Sequence, residues 1–144
     1  MRSRPFWLEG LLSILKYYLY GMANSIKKTL VLGASDNPTR YSYLAINRLR
    51  ASGHPVEGIG REKMRVADID VDRLKKPFQN IDTVTIYLNP ERQKEYYDYI
   101  LSLHPKRLIF NPGAENKELF EIAKAANIQT MEACTLVLLS TGQF

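Results

Sequence analysis

The 144-residue sequence predicts an α/β fold, a three-layer doubly wound parallel sheet of about five strands. Three observations carry that prediction. From Lys27 onward, short apolar runs alternate with segments of helical periodicity. The first run, Thr29-Leu30-Val31-Leu32-Gly33, is continuously apolar, the pattern of a strand covered on both faces. Hydrophobic residues make up 45% and charged residues 24% of the chain, which suits one domain with a core of its own.

Each element follows from local signals. Strand one is Thr29–Gly33. Ser42 is placed to cap helix one, whose Leu44, Ala45 and Leu49 face inward and which Gly53 stops. Pro55–Ile59 is a short second strand, followed by the charged loop Arg61-Glu62-Lys63-Met64-Arg65. A weakly structured segment is expected at Asp68–Asn80, with Pro77 ending any turn of helix there. Thr83–Leu88 reads as strand three through its β-branched and aromatic residues. Asn89-Pro90-Glu91 opens helix two with a cap, a proline at the first helical position and an acid in the first turn. Tyr96, Ile100 and Leu103 form its buried stripe. Lys106–Phe110 is strand four, and helix three buries Leu119, Ile122, Ala123 and Ala126. Ile128–Met131 is strand five, and Cys134 begins the C-terminal segment. The simplest strand order is 3-2-1-4-5.

Residues 1–26 read as an extension, with the domain at 27–144. Trp7, Leu8, Leu11, Leu12, Ile14, Leu15, Tyr18 and Leu19 wrap one side of a helix, and Glu9, Ser13, Lys16 and Tyr20 follow the other. Glu9 and Lys16 oppose a membrane span, because a lysine at mid-membrane costs about 2.5–3.5 kcal/mol. Three readings stand: a start mis-called upstream of Met22, an interfacial amphipathic anchor, or a span or signal. Residues 1–21 carry Arg2, Arg4 and Lys16 against Glu9, a net +2, leaving +3 of the overall +5 for the remainder. No basic run interleaved with aromatics occurs, so nucleic acid is not the expected partner. The single Cys134 excludes an internal disulfide and fits a reducing, cytoplasmic setting. With one cysteine, two histidines and no clustering of them, a structural zinc site is not expected. His54 and His104, each next to a proline, read as structural or solvated.

In a doubly wound sheet, ligands bind beyond the carboxyl ends of the strands, beside the point where the winding reverses. The stretch Gly33-Ala34-Ser35-Asp36-Asn37-Pro38-Thr39-Arg40-Tyr41-Ser42 lies there. A small-residue turn before a helix N-terminus is a phosphate cradle, and Arg40 within it can clamp phosphate oxygens. The later glycines of the NAD fingerprint are missing, and Arg61 and Lys63 follow strand two where NAD wants a lone acid. That charge suits a phosphorylated ribose, as in NADP or the 3′-phosphate of coenzyme A. No Walker lysine follows Gly33, which excludes the usual nucleotide triphosphatases.

Val31–Ser42, Tyr87-Leu88-Asn89-Pro90-Glu91, Asn111-Pro112-Gly113-Ala114-Glu115-Asn116 and Cys134 together resemble the small bacterial CoA-binding domain family. That family is Rossmann-like and related to the N-terminal domain of the succinyl-CoA synthetase α subunit. The resemblance runs from about Lys27 to the C-terminus. It implies CoA or acyl-CoA as ligand, held by Gly33, Ala34, Ser35, Asn37, Pro38, Arg40, Tyr41 and Ser42 at the phosphates. Gly60, Arg61 and Lys63 would follow strand two, where the family usually carries a lysine. Leu88, Asn89 and Pro90 would pack beside the adenine or pantetheine arm. Asn111, Pro112, Gly113, Ala114 and Cys134 would line the far side. Cys134 has no assignable catalytic partner, and nothing resembles the ligase's phosphohistidine-bearing domain. The expected function is therefore a non-catalytic sensor or accessory module, with a homo-oligomer or a larger enzyme as partner. A minimal NADP-dependent oxidoreductase is the alternative.

Overall fold

Residues 3–144 are described by a computed structural model, without side chains at 20–25. The expectations for Arg2, Tyr20 and Met22 lie outside the described backbone or side chains. Helix α1 (Phe6–Ser25) precedes an α/β unit built on a seven-stranded sheet. The strands are β1 (Thr29–Ala34), β2 (Val56–Gly60), β3 (Met64–Val66), β4 (Ile69–Asp72), β5 (Thr83–Ile86), β6 (Arg107–Phe110) and β7 (Gln129–Glu132). Their order across the sheet is β3-β4-β2-β1-β5-β6-β7, and every pairing is parallel except β3 with β4. The chain winds outward from β1 through β2 and β4, then returns to β5 on the other side of β1.

Two expectations change here, for one reason. The sheet has seven strands rather than about five, and Thr83–Ile86 pairs with β1 instead of lying beyond β2. The segment expected to be weakly structured supplies β4, which pairs with β2 and takes the place given to the third strand. It forms a hairpin with β3 around Ala67, whose φ is +53°. These strands are three and four residues long, and charged residues alternate with the buried Val66 and Val71, so neither makes an apolar run. Their exposed faces are laced by ion pairs, Arg65 to Asp70 at 2.8 Å and Arg50 to Asp68 at 2.7 Å. Surface pairs of this kind contribute less than about 1 kcal/mol each, so the two valines hold the hairpin down.

The strand pleat divides the core. Leu30 and Leu32 of β1 pack on one face with Val84, Ile86, Leu108 and Phe110 of the neighbouring strands. Helices α4 (Tyr97–Ser102) and α5 (Lys117–Ala125) cover that face through Ile100, Leu119 and Ala123. Val31 points to the other face, with Ile46 and Leu49 of α2 (Tyr41–Ala51) and Leu139 of α6 (Thr135–Ser140). Helix one is set differently from expectation. It begins at Tyr41, so Ser42 lies inside its first turn and is buried, and Arg40 occupies the cap position. Ile46 is buried in place of Leu44, which is 39% exposed. Asn89 does cap α3 (Pro90–Gln93), which continues through the 3-10 turn Lys94–Tyr96 into α4. Ile122 is half-buried and Ala126 exposed at the end of α5. Among the described residues, no helix is long and apolar enough to cross a membrane.

At the opposite end of the sheet from the carboxyl rim, His54 is buried against Phe144, with ring centroids 5.0 Å apart. Its Nδ1 accepts a hydrogen bond from the Lys27 backbone N–H at 3.0 Å. Burial holds the imidazole below its ordinary value of 6.5, helped by Lys27 and Arg107 and opposed by Asp82. The folded protein therefore keeps a neutral His54 under conditions in which the unfolded chain takes up a proton. The contribution is intact above about pH 6.5 and is lost as the pH falls through that value toward the folded one. Urea unfolding between pH 7.5 and 5.5 should show stability declining with acidity, and His54→Asn should flatten the slope while lowering the stability at pH 7.5. An unchanged slope would remove His54 as its source.

Candidate functional site

At the carboxyl ends of β1, β2 and β5 lies an open cleft of about 630 Å3. Its position follows from the topology: α2 leaves β1 for one face and α3–α4 leave β5 for the other, so a crevice opens between them. Gly33 makes the turn possible. Its φ is +94°, and a Cβ there would sit 3.1 Å from Leu88 Cδ2 and 3.2 Å from the Tyr87 carbonyl carbon. Gly60 performs a similar service at the end of β2, where a Cβ would lie 2.7 Å from the Ala34 carbonyl oxygen. The β1–β2 register shifts between Leu32 and Ala34 at this same point. Backbone thus approaches backbone beneath the cleft floor.

The loop 35–40 is tied by its own side chains. Ser35 Oγ accepts from the Asn37 N–H at 3.1 Å, and Asn37 Oδ1 accepts from the Thr39 N–H at 3.0 Å. The Arg40 N–H donates to the Asn37 carbonyl at 3.0 Å. Loop donors at Asn37, Thr39 and Arg40 are therefore engaged internally. The open donors lie further on, in the first turn of α2, where Arg40 provides no side-chain cap.

That missing cap stands out against the neighbouring helices. Asn89 Oδ1 accepts from the Arg92 N–H in α3 at 2.9 Å. Asn116 Oδ1 accepts from the Leu119 N–H in α5 at 3.2 Å, and Asn111 Oδ1 accepts from the Thr135 N–H in α6 at 2.9 Å. Three helix starts are closed by asparagine, and the 11-residue α2 starts uncapped against the cleft wall formed by Arg40, Tyr41 and Ser42. Its N–H groups and dipole make that spot favourable for an anion.

Charge around the cleft points the same way. Arg40, Arg61, Arg73 and Arg92 line it together with Asp36, Glu62 and Glu95. Glu95 faces Lys75 at 3.8 Å. Among the described residues, ion pairs engage Arg4, Arg50 and Arg65 but none of the four cleft arginines. Apolar surface comes from Ile59, Met64, Leu88, Tyr96 and Pro112. Burial pushes the phenol of Tyr87, also in the wall, up to about 12, with the Thr135 and Thr85 hydroxyls opposing the shift. It stays neutral and is a weak acid at physiological pH.

Of the residues singled out from the sequence, Gly33, Ala34, Ser35, Arg40, Tyr41, Ser42, Gly60, Arg61, Leu88 and Pro112 line this cleft. The others lie elsewhere. Asn37 and Pro38 are exposed and shape the loop, and Lys63 lines a smaller hollow of about 370 Å3 with Asp70 and Asp72. Asn89 and Pro90 form the start of α3. Asn111 is buried, donating to Thr85 Oγ1 at 2.6 Å and to the Ile86 carbonyl at 3.0 Å. Gly113, with φ +92°, donates its N–H to Glu115. The Ala114 carbonyl accepts from Gln93 Nε2 at 2.7 Å. Cys134 is half-buried directly before α6.

Sequence reasoning passed over Ile59, Met64, Arg73, Tyr87, Arg92 and Glu95 as cleft residues. Arg92 carried a signal, since it falls in the first turn after the Asn89 cap. Arg73 carried none, because the strand it follows was not visible. The fully buried Gln93 was missed as well; it bonds the Leu88 carbonyl at 2.8 Å and accepts from Asn116 at 2.9 Å, tying the rim loops together. Among the described residues, no group of histidine, cysteine or acidic side chains is placed to hold a metal ion.

Residues 27–140 match the family model described as a CoA binding domain. A crystal structure of an uncharacterized protein is 48% identical, with a TM-score of 0.81, over 83% of this chain and 98% of that one. A hypothetical protein from Pyrococcus horikoshii OT3 is 20% identical, with a TM-score of 0.71, over 98% and 97% of the two chains. A structure from Thermus thermophilus is 20% identical, with a TM-score of 0.70, over 89% and 98%. At that identity the last two likenesses concern the fold alone. Among curated proteins, nothing matches the chain.

The turn at Gly33 yields a direct test of the cleft floor. Gly33→Ala should cost at least about 1–2 kcal/mol in urea unfolding, because a Cβ is both strained at that φ and crowded by Leu88. A loss below about 0.5 kcal/mol would show that the turn relaxes and that the close approach is unimportant.

Proposed function

We propose, for a chain that belongs to the CoA-binding domain family, that the cleft at the ends of β1, β2 and β5 binds CoA or an acyl-CoA. The observation that carries this reading is the uncapped N-terminus of α2 facing a cleft whose four arginines form no ion pair among the described residues. A diphosphate would meet the first-turn N–H groups of α2 and the Arg40 guanidinium. Arg61, following β2, is the basic group available to a 3′-phosphate. Leu88, Tyr96 and Pro112 offer apolar surface to the adenine or to the pantetheine arm. The turn at Gly33 sets the phosphate loop close over Leu88 and the Tyr87 backbone. CoA would supply a thiol or thioester; the chain's part is to bind and orient it.

The strand order, read over the parallel strands alone, is that of the Rossmann-like doubly wound fold, and it supports a nucleotide in this crevice. Among the described residues, no histidine lines the cleft, and its buried phenol is a weak acid. The family match over residues 27–140 favours CoA over NADP, and we read the role as that of a sensor or accessory module.

Thermal unfolding with CoA, dephospho-CoA, NADP and NAD in parallel tests the ligand. CoA at 100 times its dissociation constant should add about 2.7 kcal/mol and raise the midpoint by several degrees. Dephospho-CoA should do less at equal concentration, and Arg40→Ala should weaken CoA at least tenfold, about 1.4 kcal/mol, in calorimetry. A larger shift with NADP than with CoA would move the assignment to the nicotinamide cofactor. No shift with any of the four would end the nucleotide reading.

A further inference from the structure

The cleft leaves helix α1 unexplained. It runs for 20 residues, Phe6–Ser25, and none of its described side chains belongs to either core cluster. Most of its described large apolar side chains stand in solvent, with Trp7 61%, Ile14 69% and Tyr18 65% exposed, and Leu8 and Leu12 are half-buried. At 100° per residue, Ile14, Trp7, Tyr18, Leu11, Leu15, Leu8, Leu19 and Leu12 fall in one arc of about 160°. Glu9, Ser13 and Lys16 fall opposite, with Phe6 and Tyr17, 89% and 83% exposed, beside them. An apolar stripe of this size on a water-exposed helix marks a surface meant to be covered.

The charge distribution says by what. Residues 1–28 carry Arg2, Arg4, Lys16, Lys27 and Lys28 against the single Glu9, so four of the chain's five net positive charges lie in its first fifth. Among the described residues, the helix is not long and apolar enough to cross a bilayer. Its apolar arc holds Trp7 and Tyr18, residue types that settle at the headgroup level. A wide apolar arc, a back that carries Glu9 and Lys16, and a basic surround together fit an anionic lipid surface.

We propose that α1 lies in the interfacial plane of an anionic membrane, apolar arc down, and tethers the α/β domain to that surface. The inference is independent of what the cleft binds. Embedding the arc removes its apolar side chains from water, and the net positive charge of residues 1–28 adds attraction to acidic headgroups.

The test is sedimentation of the full chain with vesicles of phosphatidylcholine alone and of phosphatidylcholine with 30% phosphatidylglycerol. The expected result is pelleting with the anionic vesicles, weaker pelleting with the neutral ones, and loss of the difference in 0.5 M salt. Leu11→Glu combined with Leu15→Glu should lower the partition coefficient at least tenfold. Both leucines lie outside the core clusters, so the thermal midpoint of the double variant should match wild type and separate a binding defect from misfolding. No pelleting of wild type would overturn the proposal, as would equal pelleting of the double variant or equal binding to both vesicle types. A concentration-dependent dimer that the double variant dissolves, without lipid binding, would overturn it in favour of a second copy of this chain.

Discussion

Because β2 and β4 extend the sheet on one side of β1 while β5, β6 and β7 extend it on the other, the connections leaving β1 and β5 must part toward opposite faces. No loop can close over the carboxyl ends of those two strands, so a crevice is built into the winding. The pleat enforces the separation. Leu30 and Leu32 commit β1 to the α4–α5 face, and Val31 commits it to the α2–α6 face. The crevice cannot be removed without unmaking the core. Every feature of the candidate site is a local elaboration of that one constraint.

Asparagines do most of the elaborating. Asn89, Asn111 and Asn116 each direct a carbonyl oxygen at the first turn of a helix, and the amide nitrogens of Asn111 and Asn116 reach back into the protein. Each buried amide thereby satisfies a helix terminus and fixes a loop at once, which a hydrophobic side chain could not do. Asn37 works differently: it ties its own loop and leaves α2 uncapped. The first turn of α2 thus stays open on the cleft that Arg40, Arg61, Arg73 and Arg92 line. In the same region Gly33 and Gly60 keep side chains out of the floor. Binding geometry and charge arise from the same short stretches of chain.

The sequence revealed the parts of this design that depend on local chemistry. Thr29–Gly33 reads as a doubly covered strand, Asn89-Pro90 as a helix start, and Gly33 as a turn, because each signal lies within a few residues. Contacts between distant segments were less legible. The β3–β4 hairpin rests on Val66 and Val71 reaching the same cluster as Ile46 and Val56, and short strands with alternating charges do not announce that partnership. Missing β4 displaced the expected place of β5 and hid Arg73. Asn111 drew attention as a rim residue, but its buried bonds to Thr85 and Thr135 depend on segments 26 and 24 residues away. Local propensity cannot distinguish an asparagine that meets ligand from one that holds the wall upright.

The measurement that bears most directly on this account is a crystal structure of the chain grown with CoA. The account predicts the diphosphate against the first turn of α2, within hydrogen-bonding distance of its N–H groups and of Arg40. It also predicts that Asn111 and Gln93 keep their present partners. CoA ordered elsewhere on the molecule, with the first turn of α2 still facing water, would contradict it.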